Sequence, residues 1–255
     1  MNSFRVIQFT LICCTSVWMP TVARAGLIAG SQLQFTGNGQ FNTAAIAWRC
    51  NLVGDAVCSA PPANAGDFAV AGSDGSFAQY NGTFGLIMNI NNAVAQPLNQ
   101  FFSLPSFISF DLNNSITVEL TFIPLGTDNL SATCASLTNC TPQDPTLITP
   151  PNPQGRSAFN LETDATGTRL TLGVNGIAHE IGGATANISG TFIAEFAGMK
   201  PQQALAAMKG GSDASYLATL ALPGGGTSAP EPTSLVLCAI SLVGFASVRR
   251  RVCRS

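Results

Sequence analysis

The sequence predicts an all-β fold, an antiparallel β-sandwich or barrel with one short helix, held between two terminal segments of different character. Three observations carry that expectation. Apolar and polar residues alternate with a period of two in segment after segment, tight-turn signals separate those segments, and only one stretch has the punctuation of a helix.

Taken in order, the expected strands are 33–36, 44–49, 76–80, 83–90 and 107–112. In the next, Ile116, Val118, Leu120 and Phe122 alternate with Thr117, Glu119 and Thr121, giving one face to bury and one to wet. A strand over 157–162 precedes Leu170, Leu172 and Val174, which repeat the pattern. So do Ile188, Phe192, Ala194 and Phe196 against Ser189, Thr191 and Glu195, and 216–222 closes the series. Turns are expected at Asn81-Gly82, Asn113-Asn114, Asp164-Ala165-Thr166-Gly167 and Asn175-Gly176, where Asn, Asp and Gly tolerate left-handed backbone. The helix follows Lys200: Pro201 suits a first turn, Gly210 a C-terminal cap, and Ala204, Leu205, Ala207 and Met208 make the apolar side. Five prolines and no alternation between 141 and 154 predict a long exposed loop, and the Gly- and Ser-rich residues 223–229 a flexible stalk.

The ends read differently. Arg5 precedes an apolar stretch over 6–19, Pro20 interrupts it, and Ala23 and Ala25 place small residues where signal peptidase cuts, so 1–25 is expected to leave as a signal peptide. At the other end, residues 234–248 are apolar and Arg249, Arg250, Arg251 and Arg254 follow at once, the order of a stop-transfer segment. As a helix the run reaches roughly 22 Å, short of a hydrocarbon core of about 30 Å, with snorkelling arginines to cover the difference.

Pro230-Glu231-Pro232, the short apolar span and the arginine end, in that order over 230–255, resemble the PEP-CTERM sorting signal of Gram-negative bacteria. The resemblance covers about a tenth of the chain. It implies export, transient inner-membrane anchoring through the tail, recognition at Pro230, Glu231 and Pro232 by an exosortase-type processing enzyme, and transfer to the cell surface or an extracellular polysaccharide matrix. Segments such as Gly66-Asp67-Phe68 and Gly82-Thr83-Phe84-Gly85 are similar to ectodomains of that family, which implies a β-rich surface protein and supplies no active site.

Between the two ends, residues 26–222 form the expected extracellular domain. Over 26–229, Arg49, Arg156, Arg169, Lys200 and Lys209 face twelve acids, which leaves about −7. Such a surface excludes the basic patch that a nucleic-acid partner needs. Once 1–25 and the tail are set aside, Cys50, Cys58, Cys134 and Cys140 remain, and their spacing favours two local bridges, Cys50 to Cys58 and Cys134 to Cys140. Structural zinc prefers cysteines two to four residues apart, which neither spacing matches, so no metal is expected.

The remaining chemistry is sparse. His179, the only histidine, stands beside Glu180 without a second imidazole for a metal site and is read as structural or surface. Ala71-Gly72-Ser73-Asp74-Gly75 resembles a relaxed nucleophile elbow outside the strand-to-helix setting that motif requires. Asp111, Glu119, Glu162 and Glu195 are the carboxylates that could pair for glycoside cleavage. Asp67, Asp74, Asp111 and Asp128, close to turn residues, are the oxygen ligands a calcium ion could use, although no calcium-loop spacing is met. Trp48, Phe77, Tyr80 and Tyr216 are either core filling, the favoured reading, or a sugar-stacking face. The reading that results is an exported surface or matrix protein, structural or adhesive, without cofactor or catalytic residues. A carbohydrate-binding module comes second and a secreted glycosidase third. Peptide mapping without reduction is expected to recover Cys50 joined to Cys58; a Cys50 to Cys140 link would overturn the local pairing.

Overall fold

The computed structural model describes residues 26–50 and 64–223. The strands are β1 (Gln32–Asn42), β2 (Ala45–Trp48), β3 (Ala65–Ser73), β4 (Phe84–Met88), β5 (Ile90–Asn91), β6 (Phe101–Phe110) and β7 (Ile116–Phe122). There follow β8 (Leu130–Ser131), β9 (Asn139–Pro142), β10 (Phe159–Thr163), β11 (Gly167–Glu180), β12 (Thr185–Ala197), helix α1 (Pro201–Gly210) and β13 (Ser212–Ala221). Neighbours run β12-β13-β1-β3-β4-β6-β7-β11, and β11 pairs again with β12, so these eight strands close into an antiparallel barrel. Of the two architectures expected, the barrel is the one adopted.

Two strands are long enough to serve two neighbours on one side. β1 pairs with β3 through Leu33–Thr36 and with β2 through Gly39–Asn42, while β13 follows its other edge from Gln32 to Phe41. β11 pairs with β10 through Thr168–Leu172 and with β7 through Asn175–Glu180, with β12 along its whole other edge. At these splits the wall branches into β2 and β5 on one side and β10, β9 and β8 on the other. The chain enters and leaves side by side, Gly30 donating to the Leu222 carbonyl and Leu222 to that of Ser31, at 3.0 and 2.9 Å.

An eight-stranded barrel has an interior just wide enough for side chains to fill. Aromatics fill this one. The Phe192 ring lies 5.2 Å from Trp48, 5.7 Å from Phe35, 5.8 Å from Tyr216 and 6.3 Å from Phe107, in tilted and edge-on arrangements that rings prefer. Tyr80 stacks on Phe110 at 3.7 Å, and Phe110 meets Phe68 at 5.9 Å. Such bulk needs room elsewhere. At Gly85 a Cβ would stand 2.4 Å from the Phe68 ring and 2.3 Å from the Ser109 carbonyl, so only glycine lets β4 pass there.

Trp48, Phe77, Tyr80 and Tyr216 are all buried and belong to the core, as the favoured reading of them held. Outward positions carry Thr117, Glu119, Asn175, His179, Arg169 and Glu195 instead. Apolar inside and polar outside is the reverse of a barrel whose outer face meets lipid. No helix among the described residues is long and apolar enough to cross a membrane.

The helix occupies its expected span and links β12 to β13. It buries Pro201, Ala204, Leu205 and Met208 and packs on β1, β9, β10 and β13. The Gln203 side chain accepts from the Lys200 amide at 2.9 Å, and the left-handed cap is Gly211, φ 80°, one residue beyond the expected one.

Several elements differ from expectation. Residues 76–80 are not a strand but lie in a 3₁₀ turn (Gly75–Tyr80), because Phe77 and Tyr80 are both buried and three residues apart, which a strand would send to opposite faces. Asn175-Gly176 is no turn; it lies inside β11 at a bulge where the register against β7 slips, and a Cβ on Gly176 would sit 2.2 Å from the Glu119 carbonyl. β3 was not expected as a strand. Its first residues are buried on both faces, so no alternation marks them. Nor is 141–154 an exposed loop. It holds the end of β9 and a 3₁₀ turn (Pro145–Leu147), and buried Asn152 pins it, donating to the carbonyls of Leu147 and Arg156 and accepting from the Arg156 amide.

Truncating the central ring, Phe192→Ala, is expected to cost about 3–5 kcal/mol in chemical denaturation, the range for buried aromatics. Phe101→Ala, at a side chain 86% exposed, should change stability by less than about 0.5 kcal/mol.

Candidate functional site

On the outer wall, alternation along three adjacent strands brings one set of side chains together. β6 contributes Phe101 and Ser103, β7 contributes Glu119 and Thr121, and β11 contributes Asn175 and His179. The His179 ring N–H donates to Glu119 across the β11–β7 pair at 3.0 Å. The Ser103 hydroxyl donates to the same carboxylate. The histidine therefore finds its partner on the neighbouring strand and not in Glu180, the residue beside it in sequence.

The Ser103 hydrogen bond does most to hold the Glu119 carboxyl below its ordinary value; partial burial opposes it, and the hydrogen bond and charge of His179 assist. In an activated serine the histidine stands between hydroxyl and acid. Here the acid stands between Ser103 and His179, so the hydroxyl points at a carboxylate and no imidazole takes its proton.

Beside this relay lies a groove of about 450 Å³. Phe101 stands up from it, backed by Phe122 with ring centres 5.3 Å apart. Thr121, Asn175, Asn187 and Ser189 supply its polar rim, Gly176 at the bulge lies along its floor, and Pro223 ends it. Among the described residues no charged side chain lines it. The sequence marks neither Phe101 nor Asn187 as a site residue and marks Asn175 only as a turn former; the doubled phenylalanine at 101–102 is the signal available for the first.

A larger cavity of about 640 Å³ near the Arg49–Asp213 ion pair, 2.8 Å long, runs up to Cys50. Residues 51–63, which follow Cys50, lie outside the described residues.

The other sequence candidates are dispersed. Arg169 on β11 stands in register with Glu162 on one side and Glu195 on the other, and also meets Asp164 at 3.6 Å. Asp111 follows the end of β6, its amide donating to the Phe84 carbonyl. Of the four carboxylates considered for glycoside cleavage, Asp111, Glu119, Glu162 and Glu195, Glu119 alone belongs to the outer-wall cluster. Ser73 is no elbow; it ends β3, its hydroxyl donating to the Phe77 carbonyl at 2.8 Å. Among the suggested calcium ligands, Asp67 is fully buried beside Tyr216, whose hydroxyl burial and that negative charge push well above its ordinary pKa. Asp74 and Asp128 lie in separate turns, and no group of three His, Cys, Asp or Glu able to hold a metal occurs among the described residues.

Cys134 and Cys140 form a disulfide with Cα atoms 5.8 Å apart, as their spacing favoured. Cys50 is disulfide-bonded, while its expected partner Cys58 lies outside the described residues. So do Ala23, Ala25, Pro230, Glu231, Pro232, Arg249, Arg250 and Arg251. Comparison with protein-family models, with curated proteins and with solved structures finds no match.

Among the described residues three carboxyls are held down in the folded state. Glu119 is one; Asp164 is another, through the Thr166 amide and hydroxyl. In Asp144 burial pushes upward but is outweighed by hydrogen bonds from Thr43 and Thr146. A depressed folded value means stability that is present above the unfolded value and lost as pH falls through the folded one. Unfolding stability is therefore expected to hold above about pH 5 and to decline below the ordinary values of 4.5 and 3.8. In an NMR titration Ser103→Ala should move the Glu119 midpoint back toward 4.5; an unmoved midpoint would remove Ser103 as the main cause.

Proposed function

We propose that this chain is an exported protein of the cell surface or extracellular matrix, delivered by its PEP-CTERM-like tail, and that the barrel serves there as a structural or adhesive component. The observation that supports it most is the filled barrel. Aromatic side chains occupy the space that other eight-stranded barrels reserve for a ligand, so contacts are made by the outer wall. That wall is polar, carries few charges of either sign and bears one groove with an exposed ring. Signal peptidase and an exosortase-type enzyme act on the two ends before the barrel takes up its place.

The test is intact-mass analysis of protein recovered separately from inner membrane, cell surface and medium. Wild type is expected to begin at Gly26 and to end near Pro230–Pro232 in the surface or medium fractions. Replacing Pro230, Glu231 and Pro232 together by alanine should leave full-length tail in the inner membrane. Normal processing and release of that variant would sink the sorting reading.

A further inference from the structure

We infer that the Phe101 groove binds a neutral glycan, with the Phe101 ring stacking on a sugar and the amides of Asn175 and Asn187 reading its hydroxyls. The inference deepens the adhesive reading above and rests on it. Four observations on the outer wall carry it.

Phe101 is 86% exposed, and leaving such a ring in water forgoes about 1.5–3 kcal/mol that burial would supply. Phe122 behind it, inclined by 46°, supports it as a platform at the groove's edge. A flat ring presenting its negative face suits the axial C–H bonds of a pyranose as readily as it suits a base or another ring.

The second observation is the asparagines. Asn is depleted in strands, yet Asn175 and Asn187 occupy strand positions on neighbouring β11 and β12. Neither side chain makes a hydrogen bond to the protein among the described residues, so a donor and an acceptor from each remain for a ligand. Paired donors and acceptors beside an aromatic surface match a molecule with hydroxyls around an apolar ring face.

Third, the groove's volume of about 450 Å³ falls in the range of small-ligand sites, and Gly176 lines it with bare backbone. Fourth, among the described residues no charge lines the groove, and the domain carries about −7, so an acidic polysaccharide would be repelled. Uncharged sugar is the chemistry left.

Native electrophoresis of the mature protein tests this in gels containing hydroxyethylcellulose, laminarin or galactomannan, with alginate as the acidic comparison. Retardation is expected in at least one neutral gel and not in alginate. Phe101→Ala should abolish it, and Asn187→Ala should weaken the apparent affinity three- to tenfold, the worth of one good hydrogen bond. Val94→Ala, at another exposed apolar side chain, should leave retardation intact, and all variants should melt as wild type does, which separates lost binding from lost fold. No retardation in any neutral gel, retardation by alginate alone, or a Phe101→Ala protein retarded like wild type would overturn the inference. So would a wild-type dimer that Phe101→Ala dissociates without sugar present, since the groove would then belong to a second copy. Fractionation separates the two claims: surface delivery without sugar binding removes only the ligand, whereas wild type that never leaves the inner membrane removes the adhesive reading itself.

Discussion

The interior of an eight-stranded barrel has one approximate width, and the rest of this structure depends on how that width is filled. Phe192 on β12 meets rings from β1, β6 and β13 and from Trp48 on β2, so the side chains tie the wall together across its hollow as the hydrogen bonds tie it around the circumference. The glycines of β4 and β11 are the counterpart of those rings, taken where backbone must approach a ring or a carbonyl. With the hollow occupied, the inward side chains pack against one another and are closed to solvent. Variation that alters contact with other molecules is confined to the outward positions, among them the relay of Ser103, Glu119 and His179 and the groove beside it.

How much of this could be read beforehand follows from which physical signals are local. Strands with one wet face declared themselves: β7, β12 and the first half of β11 alternate cleanly and were expected near their observed places, while the second half of β11 lies beyond an expected turn. β3 did not, since its Ala-, Gly- and Phe-containing start is buried on both sides and period two disappears where nothing is wet. The short turn holding Phe77 and Tyr80 was misread because Ser, Phe, Ala, Gln and Tyr alternate well enough for a strand, and only tertiary burial of positions three apart reveals the 3₁₀ geometry. Asn-Gly is a strong turn signal, yet at 175–176 it marks a bulge, where the same conformational tolerance relieves crowding against Glu119.

The site was less legible than the fold for a related reason. Glu119 and His179 are sixty positions apart in sequence, and their meeting is a matter of β7–β11 register, which local patterns do not specify. The same holds for Phe101 and Asn187, which share a groove only because β6, β7, β11 and β12 are consecutive in the wall. The aromatics that sequence could nominate as surface candidates, Trp48, Tyr80 and Tyr216 among them, went to the core, as hydrophobic burial favours for most rings. The local disulfide, by contrast, was readable from spacing alone, because six residues of separation leave little else for Cys134 to reach.

The pairing of β1 with β13 has a consequence in time. The first strand of the barrel, beginning at Gln32, pairs along one edge with β2 and β3, but the partner of its other edge is the strand that ends at Ala221, while the β11–β12 hairpin can form from neighbouring residues as soon as both are made. Synthesis runs from the N-terminus, so β1 must wait with one edge unpaired through nearly the whole domain, and an unpaired edge is where one chain adds onto another. Ring closure is thus the last long-range event available to this chain. The interval before it is the period in which the nascent protein most needs to be kept from its own copies.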